Sequence, residues 1–250
     1  MNNIPISNKI PELDLAIKAA QEAGNTILKI YEKGFKTFTK TDNSPVTDAD
    51  LQSNKIIKEI LSVTKHSILS EEDIDDKNRL SNDMVWIIDP LDGTSDFIDK
   101  TGEFTVMIAL IENQKPILGV IAWPTEKTLF VAQKNCGAFR YSDNKWEKIS
   151  VTKISELPKC RTIGSRHHLS DKEKDFIEKI GIKDFTSIGS SLKVGKISSG
   201  QAEVYITTTN KMKEWDTAAS HCIISEAGGK MTDMLGNELT YNNENVYHQN

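Results

Sequence analysis

The sequence predicts a mixed α/β protein of the α+β kind, and three observations carry that reading. Near the start, Leu13, Ile17, Ala20, Ile27, Leu28 and Tyr31 recur at helical spacing. The middle of the chain then breaks into short apolar runs separated by polar turns, the pattern of antiparallel strands. An Ala-containing helical stretch returns late, around Asp216 to Ala227, so helices and strands mix without the strict alternation of a wholly parallel sheet. With 250 residues, 38% of them hydrophobic and 27% charged, the chain has the composition of an ordinary globule. A chain of this size can bury roughly 70% of its extended surface, enough for a core without staples.

Taken in order, the first helix is expected from Leu13 to Tyr31, with Pro11 at its start and Gly34 just past its end. A second is expected from about Ala49 to Leu61, its buried stripe formed by Ile56, Ile57, Ile60 and Leu61. Val85 to Ile88 reads as a buried strand stopped by a turn at Asp89-Pro90. Phe104 to Ile111 and Ile117 to Trp123 form a hairpin across Glu112-Asn113-Gln114-Lys115, and Thr128 to Ala132 and Ala138 to Tyr141 extend that sheet. In the second half Ala202 to Thr207 reads as a strand, and the helix from Asp216 closes at Gly228-Gly229. Residues Asn242 to Asn250 read as a mobile tail. No repeat or Pro/Gly/Ser-rich linker interrupts the chain, so two subdomains sharing one core are expected, 1–150 and 151–250, with the break near Lys145 to Lys159.

Composition also excludes functions. The 31 Lys+Arg and 36 Asp+Glu give a net charge of −5, which lacks the basic footprint of a nucleic-acid polymer binder. No 18-residue apolar run marks a transmembrane segment, and Met1 to Lys9 lacks the basic start and apolar stretch of a secretory signal. A cytoplasmic location is the expectation, with peripheral association at the inner membrane left open. The three cysteines, Cys136, Cys160 and Cys222, are odd in number and widely spaced, so they read as buried thiols and not as a disulfide frame or zinc cage.

The chemistry concentrates in Asp89-Pro90-Leu91-Asp92-Gly93-Thr94. Two carboxylates three residues apart at a strand-to-turn junction can face one point, and with the Leu91 carbonyl they offer the oxygen donors a hard cation such as Mg²⁺ prefers. A helix beginning after Gly93 would aim its free N–H groups and the Thr94 hydroxyl at an anion on that metal. An isolated Asp-x-x-Asp is as readily a turn and cap, but chance matches to the whole string are rare.

With Glu71-Glu72 upstream and Trp215-Asp216-Thr217-Ala218-Ala219 downstream, this string resembles the signatures of the inositol monophosphatase superfamily of Mg²⁺-dependent phosphatases. Asn43 to Thr47, Leu69 to Asp73, Gly102 to Val106 and Thr186 to Lys193 further resemble the bacterial 3′(2′),5′-bisphosphate nucleotidases within it, and the likeness runs from about Ile10 to Tyr241. It implies a layered αβαβα sandwich of the inositol monophosphatase/fructose-1,6-bisphosphatase type, with most metal ligands in the first half and Asp216 in the second. Glu71, Asp89, the Leu91 carbonyl, Asp92 and Asp216 would hold two or three Mg²⁺ ions. Such a gathering of carboxylates, Asp50 included, would repel and take up protons without cations, so an empty or distorted site is expected in metal-free protein.

The resemblance implies hydrolysis of a phosphate monoester by in-line attack of a metal-activated water with no phospho-enzyme, and no Ser, Cys or His nucleophile is required. Glu71, Thr94 and Asp50 are the catalytic candidates. Thr47-x-x-Asp50 is also a capping box, Thr94 a helix cap and Asp216 a helix-start acid, and one residue can hold both roles. Asp73, Asp75 and Asp76 read as a solvated loop. The five histidines, His66, His167, His168, His221 and His248, are scattered. The implied substrate is adenosine 3′,5′-bisphosphate, by-product of sulfate activation in sulfur metabolism, with lithium sensitivity. Substrate contacts fall at Glu71, Leu91, Asp92, Gly93, Thr94, His168, Ser190, Lys193 and Asp216, with His168 equally readable as a polar loop residue.

Two departures qualify this picture. The Arg that relatives carry after the strand matching Val204-Tyr205 is absent, leaving Lys211 or Lys213 as a substitute or a relaxed second-phosphate preference, and the closing Asn-Pro-x-Phe is missing. The alternatives are an inositol monophosphatase and a non-catalytic sensor. A monomer is expected, a dimer the alternative.

Overall fold

The computed structural model describes residues 3–248. Helix α1, Pro11–Lys33, starts with Pro11 in its first turn, where a missing N–H costs nothing, and stops at Gly34, whose φ of 97° few side chains tolerate. A short hairpin, β1 (Thr37–Thr39) with β2 (Pro45–Thr47), leads into α2, Asp48–Leu61. Then come β3 (Ser67–Ser70), β4 (Met84–Asp92), the single turn α3 (Thr94–Ile98), β5 (Thr105–Glu112), β6 (Lys115–Trp123), β7 (Thr128–Gln133), β8 (Gly137–Ser142) and β9 (Lys145–Ile149). Strands β3 to β9 form a seven-stranded sheet in chain order, in which only the β3–β4 pair is parallel. The second half holds β10 (Arg161–Ser165), α4 (Asp171–Lys179), β11 (Asp184–Ile188), α5 (Leu192–Ser198) and α6 (Glu214–Glu226), with β10 and β11 parallel.

Strand alternation assigns the core. Trp86, Ile88, Val106, Ile108 and Leu110 face α1 and α2, while Val85, Ile87, Met107, Ala109 and Ile111 face α6. The central strands are therefore apolar without a break. Helix α6 approaches β6 so closely that a Cβ on Gly119 would stand 2.5 Å from the Ala219 carbonyl oxygen, which accounts for the small Ala218-Ala219 pair. Helix α5 touches both α6 and β10, and Ile177 of α4 packs with Cys160 and Ile182 beyond them. The layers are helix pair, large sheet, helix pair, small sheet and helix: the mixed α/β sandwich that was expected.

Several expectations are corrected. The strand from Val85 does not stop at Asp89-Pro90 but runs on to Asp92; the ladder to β5 shifts register between Asp89 and Asp92, so Pro90 sits where no ladder N–H is needed. The β5–β6 connection is only Asn113-Gln114, both at positive φ, a two-residue turn whose twist suits a hairpin. Residues 145–149, placed at the break, form β9, an edge strand with a mostly exposed polar pattern. Ala202 to Thr207 is not a strand: only Val204 pairs, through an isolated bridge to Thr162. Cys136 is half-buried, unlike Cys160 and Cys222, and all three are free thiols.

The expected mobile tail is bolted down. The N–H groups of Asn242 and Asn243 donate to the Glu214 carboxylate at 2.7 and 2.9 Å, Asn242 Oδ1 accepts from Arg79 at 2.7 Å, and His248 Nε2 lies 2.6 Å from Thr217 Oγ1. Positions 249–250 of that tail, and positions 1–2 of the Met1 to Lys9 reading, lie outside the described residues. Among the described residues no helix is long and apolar enough to cross a membrane.

Candidate active site

The C-terminal end of β4 delivers two carboxylates into the interior. Asp89 is buried and accepts the N–H of Leu91 at 3.0 Å through Oδ1. Asp92 accepts the backbone N–H of Ser191, at the start of α5, and the Thr105 hydroxyl at 3.3 Å, so it is held from both halves of the chain. Gly93 follows at φ 91°, and a Cβ there would meet the Glu103 carbonyl oxygen and Ser190 Cβ at 3.1 Å each, so the turn into α3 requires glycine. The Thr94 hydroxyl then donates to Asp50 Oδ1 at 3.0 Å, with the Leu91 carbonyl at 3.3 Å.

Asp50 does two things. Its Oδ2 accepts from the Thr47 N–H and hydroxyl, both at 2.7 Å, completing the capping box of α2, while its other oxygen reaches Thr94. Ser53, one turn on, donates to the Pro90 carbonyl at 2.7 Å and ties the same helix to β4. The cap and the link to the cluster are thus one side chain.

Glu71 stands where β3 ends, its N–H donating to the Ile88 carbonyl at 3.3 Å. Lys40, from the β1–β2 loop, donates to Glu71 at 3.0 Å and to Glu72 at 2.5 Å. Burial works against the Lys40 charge, yet the two glutamates hold it above its ordinary range. Burial lifts Glu72 to about 7 despite that ammonium. Asp216, in the first turn of α6, accepts the Lys213 N–H at 2.6 Å, and burial followed by the Glu71 charge pushes it up to about 8. Burial, then Glu71, Asp92 and Asp216, keep Asp89 far above the usual carboxylate range. Burial also raises Asp92, against the pull of Lys193 and Ser191. Carboxylates from β3, β4 and α6 therefore share one field.

Among the described residues no three Asp, Glu, His or Cys side chains are disposed as a closed metal-binding group. Burial first, and the neighbouring carboxylates next, push Asp89 and Asp216 toward their protonated forms. Their chemistry fits a hard ion: oxygen donors, buried, with unbalanced negative charge. Lys40 and Lys193 supply only part of the counter-charge.

The second half adds a cationic wall. Lys193 is buried, donates to the Ser190 carbonyl and lies 5.3 Å from the centre of the Tyr205 ring; burial lowers its pKa, with Asp92 opposing. Ser190 is held at φ 51°. His168 is exposed, and desolvation, then the charges of His167, Lys193 and Lys211, disfavour its protonated form. Lys213 reaches toward Asp42 at 3.8 Å and lies over Trp215 and Tyr247.

Glu71, Asp89, Asp92 and Asp216 thus act on one another electrostatically, and Thr94 links Asp50 to the Leu91 carbonyl, but other residues were missed. Lys40 carries no sequence signal, and neither Thr105 nor Ser191 could be connected to Asp92 without the fold. The supposed solvated loop is corrected as well. Asp73 binds Asn54 at 3.0 Å and Lys58 at 2.6 Å, Asp75 forks with the buried Arg79 at 2.6 and 2.8 Å, and Asp76 caps a short turn.

Comparison with known proteins agrees with this fold. The family model described as "Inositol monophosphatase family" matches residues 10–250. A 3′(2′),5′-bisphosphate nucleotidase CysQ of Shigella flexneri is 36% identical over 92% of this chain and 93% of its own. Its namesake from Buchnera aphidicola is 38% identical over 92% and 87%. The crystal structure of CysQ from Bacteroides thetaiotaomicron superposes with a TM-score of 0.83 at 35% identity, covering 94% of each chain. An inositol monophosphatase from Thermotoga maritima gives 0.80 at 28%, covering 92% and 89%. With its fold matched and nearly its whole length covered, this chain belongs to the inositol monophosphatase family and is a phosphatase.

Proposed function

We propose that the protein removes the 3′-phosphate of adenosine 3′,5′-bisphosphate, giving AMP and inorganic phosphate, with Mg²⁺ as cofactor. The observation that carries this is the electrostatic meeting of the buried Asp89 with the half-buried Glu71, Asp92 and Asp216, and of Asp92 with the buried Lys193. Glu71, Asp89, the Leu91 carbonyl, Asp92 and Asp216 would hold two or three ions. When bound, Mg²⁺ supplies a lowered pKa for the attacking water, neutralises phosphate charge and stabilises the departing alkoxide.

The chain's own groups set the geometry. Thr94 Oγ1 places its only proton on Asp50 Oδ1, so toward a water it can only accept, and it turns a water lone pair away from itself toward phosphorus. Glu71 accepts the second water proton, and Lys40 fixes its carboxylate. In this reading residues 1–150 carry most of the cation donors, while 151–250 contribute Asp216, Ser190, Lys193 and His168 to hold the nucleotide. Lys211 stands in as a point charge for the guanidinium that relatives place near Thr207. The names of the CysQ relatives support the bisphosphate substrate.

The test compares phosphate release from adenosine 3′,5′-bisphosphate and from inositol 1-phosphate at fixed Mg²⁺. The first should be preferred and EDTA should abolish it; preference for inositol 1-phosphate would replace this reading with an inositol monophosphatase. Li⁺ titrated against Mg²⁺ should inhibit, and an unchanged rate would remove that part of the proposal.

A further inference from the structure

Beside the proposed substrate region lies a clasp that the hydrolysis itself does not use. Arg166, in the turn after β10, donates through Nη2 to both oxygens of Glu103 at 2.6 Å and through Nε to one of them at 3.1 Å, with Asp96 3.4 Å away. Glu103 also accepts the N–H of Gly189 at 2.7 Å. Asp96 is buried, takes the Thr101 hydroxyl at 2.9 Å and lies 3.3 Å from His167 Nε2. A Cβ on Gly189 would stand 2.3 Å from an Asp96 oxygen, so the loop before α5 is pressed directly onto this pair. Two carboxylates around α3 thus grip two separate loops of the second half.

Those loops carry the groups proposed to receive the nucleotide: His168 two residues after Arg166, and Ser190 and Lys193 after Gly189. An exposed ion pair alone would contribute little. Here a planar fork, a second carboxylate and a backbone N–H converge, and the interaction orders two loops relative to one another. We propose that Arg166 is a positioning residue for nucleotide specificity: clasped by Glu103 and Asp96, it holds the 165–168 turn and the 189–191 loop that leads into α5 at the spacing a nucleoside bisphosphate needs. This rests on the nucleotidase reading above. The cation donors are not its target, because Asp89 is held within β4 by the Leu91 N–H and Asp92 accepts the Thr105 hydroxyl of β5, both outside the clasped loops.

The experiment measures KM and kcat at saturating Mg²⁺ for Arg166→Gln, Glu103→Gln and the double variant. Each is assayed on adenosine 3′,5′-bisphosphate and on 4-nitrophenyl phosphate, which has neither base nor second phosphate. Each single variant should raise KM for the bisphosphate about tenfold, the scale of one lost charge-assisted contact. The double variant should add nothing, since both changes open one clasp. Values for 4-nitrophenyl phosphate should stay within about twofold, and Arg166→Lys, which keeps charge without the fork, should recover only part of the KM. Equal losses on both esters would mean a merely structural contact, and additive losses would mean that Arg166 touches substrate itself; either overturns the proposal. Wild-type protein that prefers inositol 1-phosphate would instead show that the nucleotidase reading, and this inference with it, had failed.

Discussion

The ionised form of Asp89 is strongly disfavoured in metal-free protein. It is fully buried, and Glu71, Asp92 and Asp216 all disfavour its ionised form. Asparagine has nearly its shape and keeps an acceptor for the Leu91 N–H. Asp89→Asn should therefore raise the thermal midpoint of metal-free protein by a few degrees while lowering turnover more than about a hundredfold, since a cation donor is lost. A midpoint equal to or below wild type, read by calorimetry in EDTA, would contradict the repulsion argument. At this scale the sequence was legible where chemistry is written in short spacing: Asp89 and Asp92 stand together on the chain. Glu71 and Asp216 joined them only through family likeness, and Lys40 was invisible, because no local pattern distinguishes a lysine that will reach Glu71 from one that will face water.

Between elements, the decisive contact is one that composition concealed. Arg79 is 1% exposed, and its guanidinium binds Asp75, the Asn242 side chain and the Asn243 carbonyl. Asn242 and Asn243 in turn hold Glu214 at the start of α6. The loop after Glu71 and the helix bearing Asp216 are thereby joined through a polar tail segment. Arg79→Met would leave Asp75 and the tail without their shared cation and should cost about 3 kcal/mol or more in urea unfolding; a loss under about 1 kcal/mol would show the network to be ornamental. Period and turn chemistry disclosed α1, α2 and β4 to β8, whose faces are buried. They could not disclose β9 or β11, whose residues are largely exposed, and they misread Ala202 to Thr207, where the only strand-like bridge is the one from Val204 to Thr162.

Over the whole molecule, protons and divalent cations compete for the same interior. Asp216 at about 8 and Glu72 at about 7 lie above their ordinary values of 3.8 and 4.5, both lifted first by burial. A carboxyl raised in this way binds its proton more tightly in the folded chain, so its contribution to stability is full below about pH 4 and is lost as pH climbs through 7 and 8. Mg²⁺ reverses the balance, because it needs ionised oxygens and binds only the folded arrangement. The rise in thermal midpoint on adding saturating Mg²⁺ should therefore be small at pH 5.5 and reach several degrees at pH 8. His248, held at about 4, and His221, also lowered by burial, weaken the fold as pH falls below about 6.5. They do so with or without the cation, so their effect cancels in the difference. Differential scanning fluorimetry across that pH range, with EDTA and with Mg²⁺, measures the difference directly. An increment that is flat, or larger at pH 5.5, would mean that the buried carboxyls are not the cation's ligands.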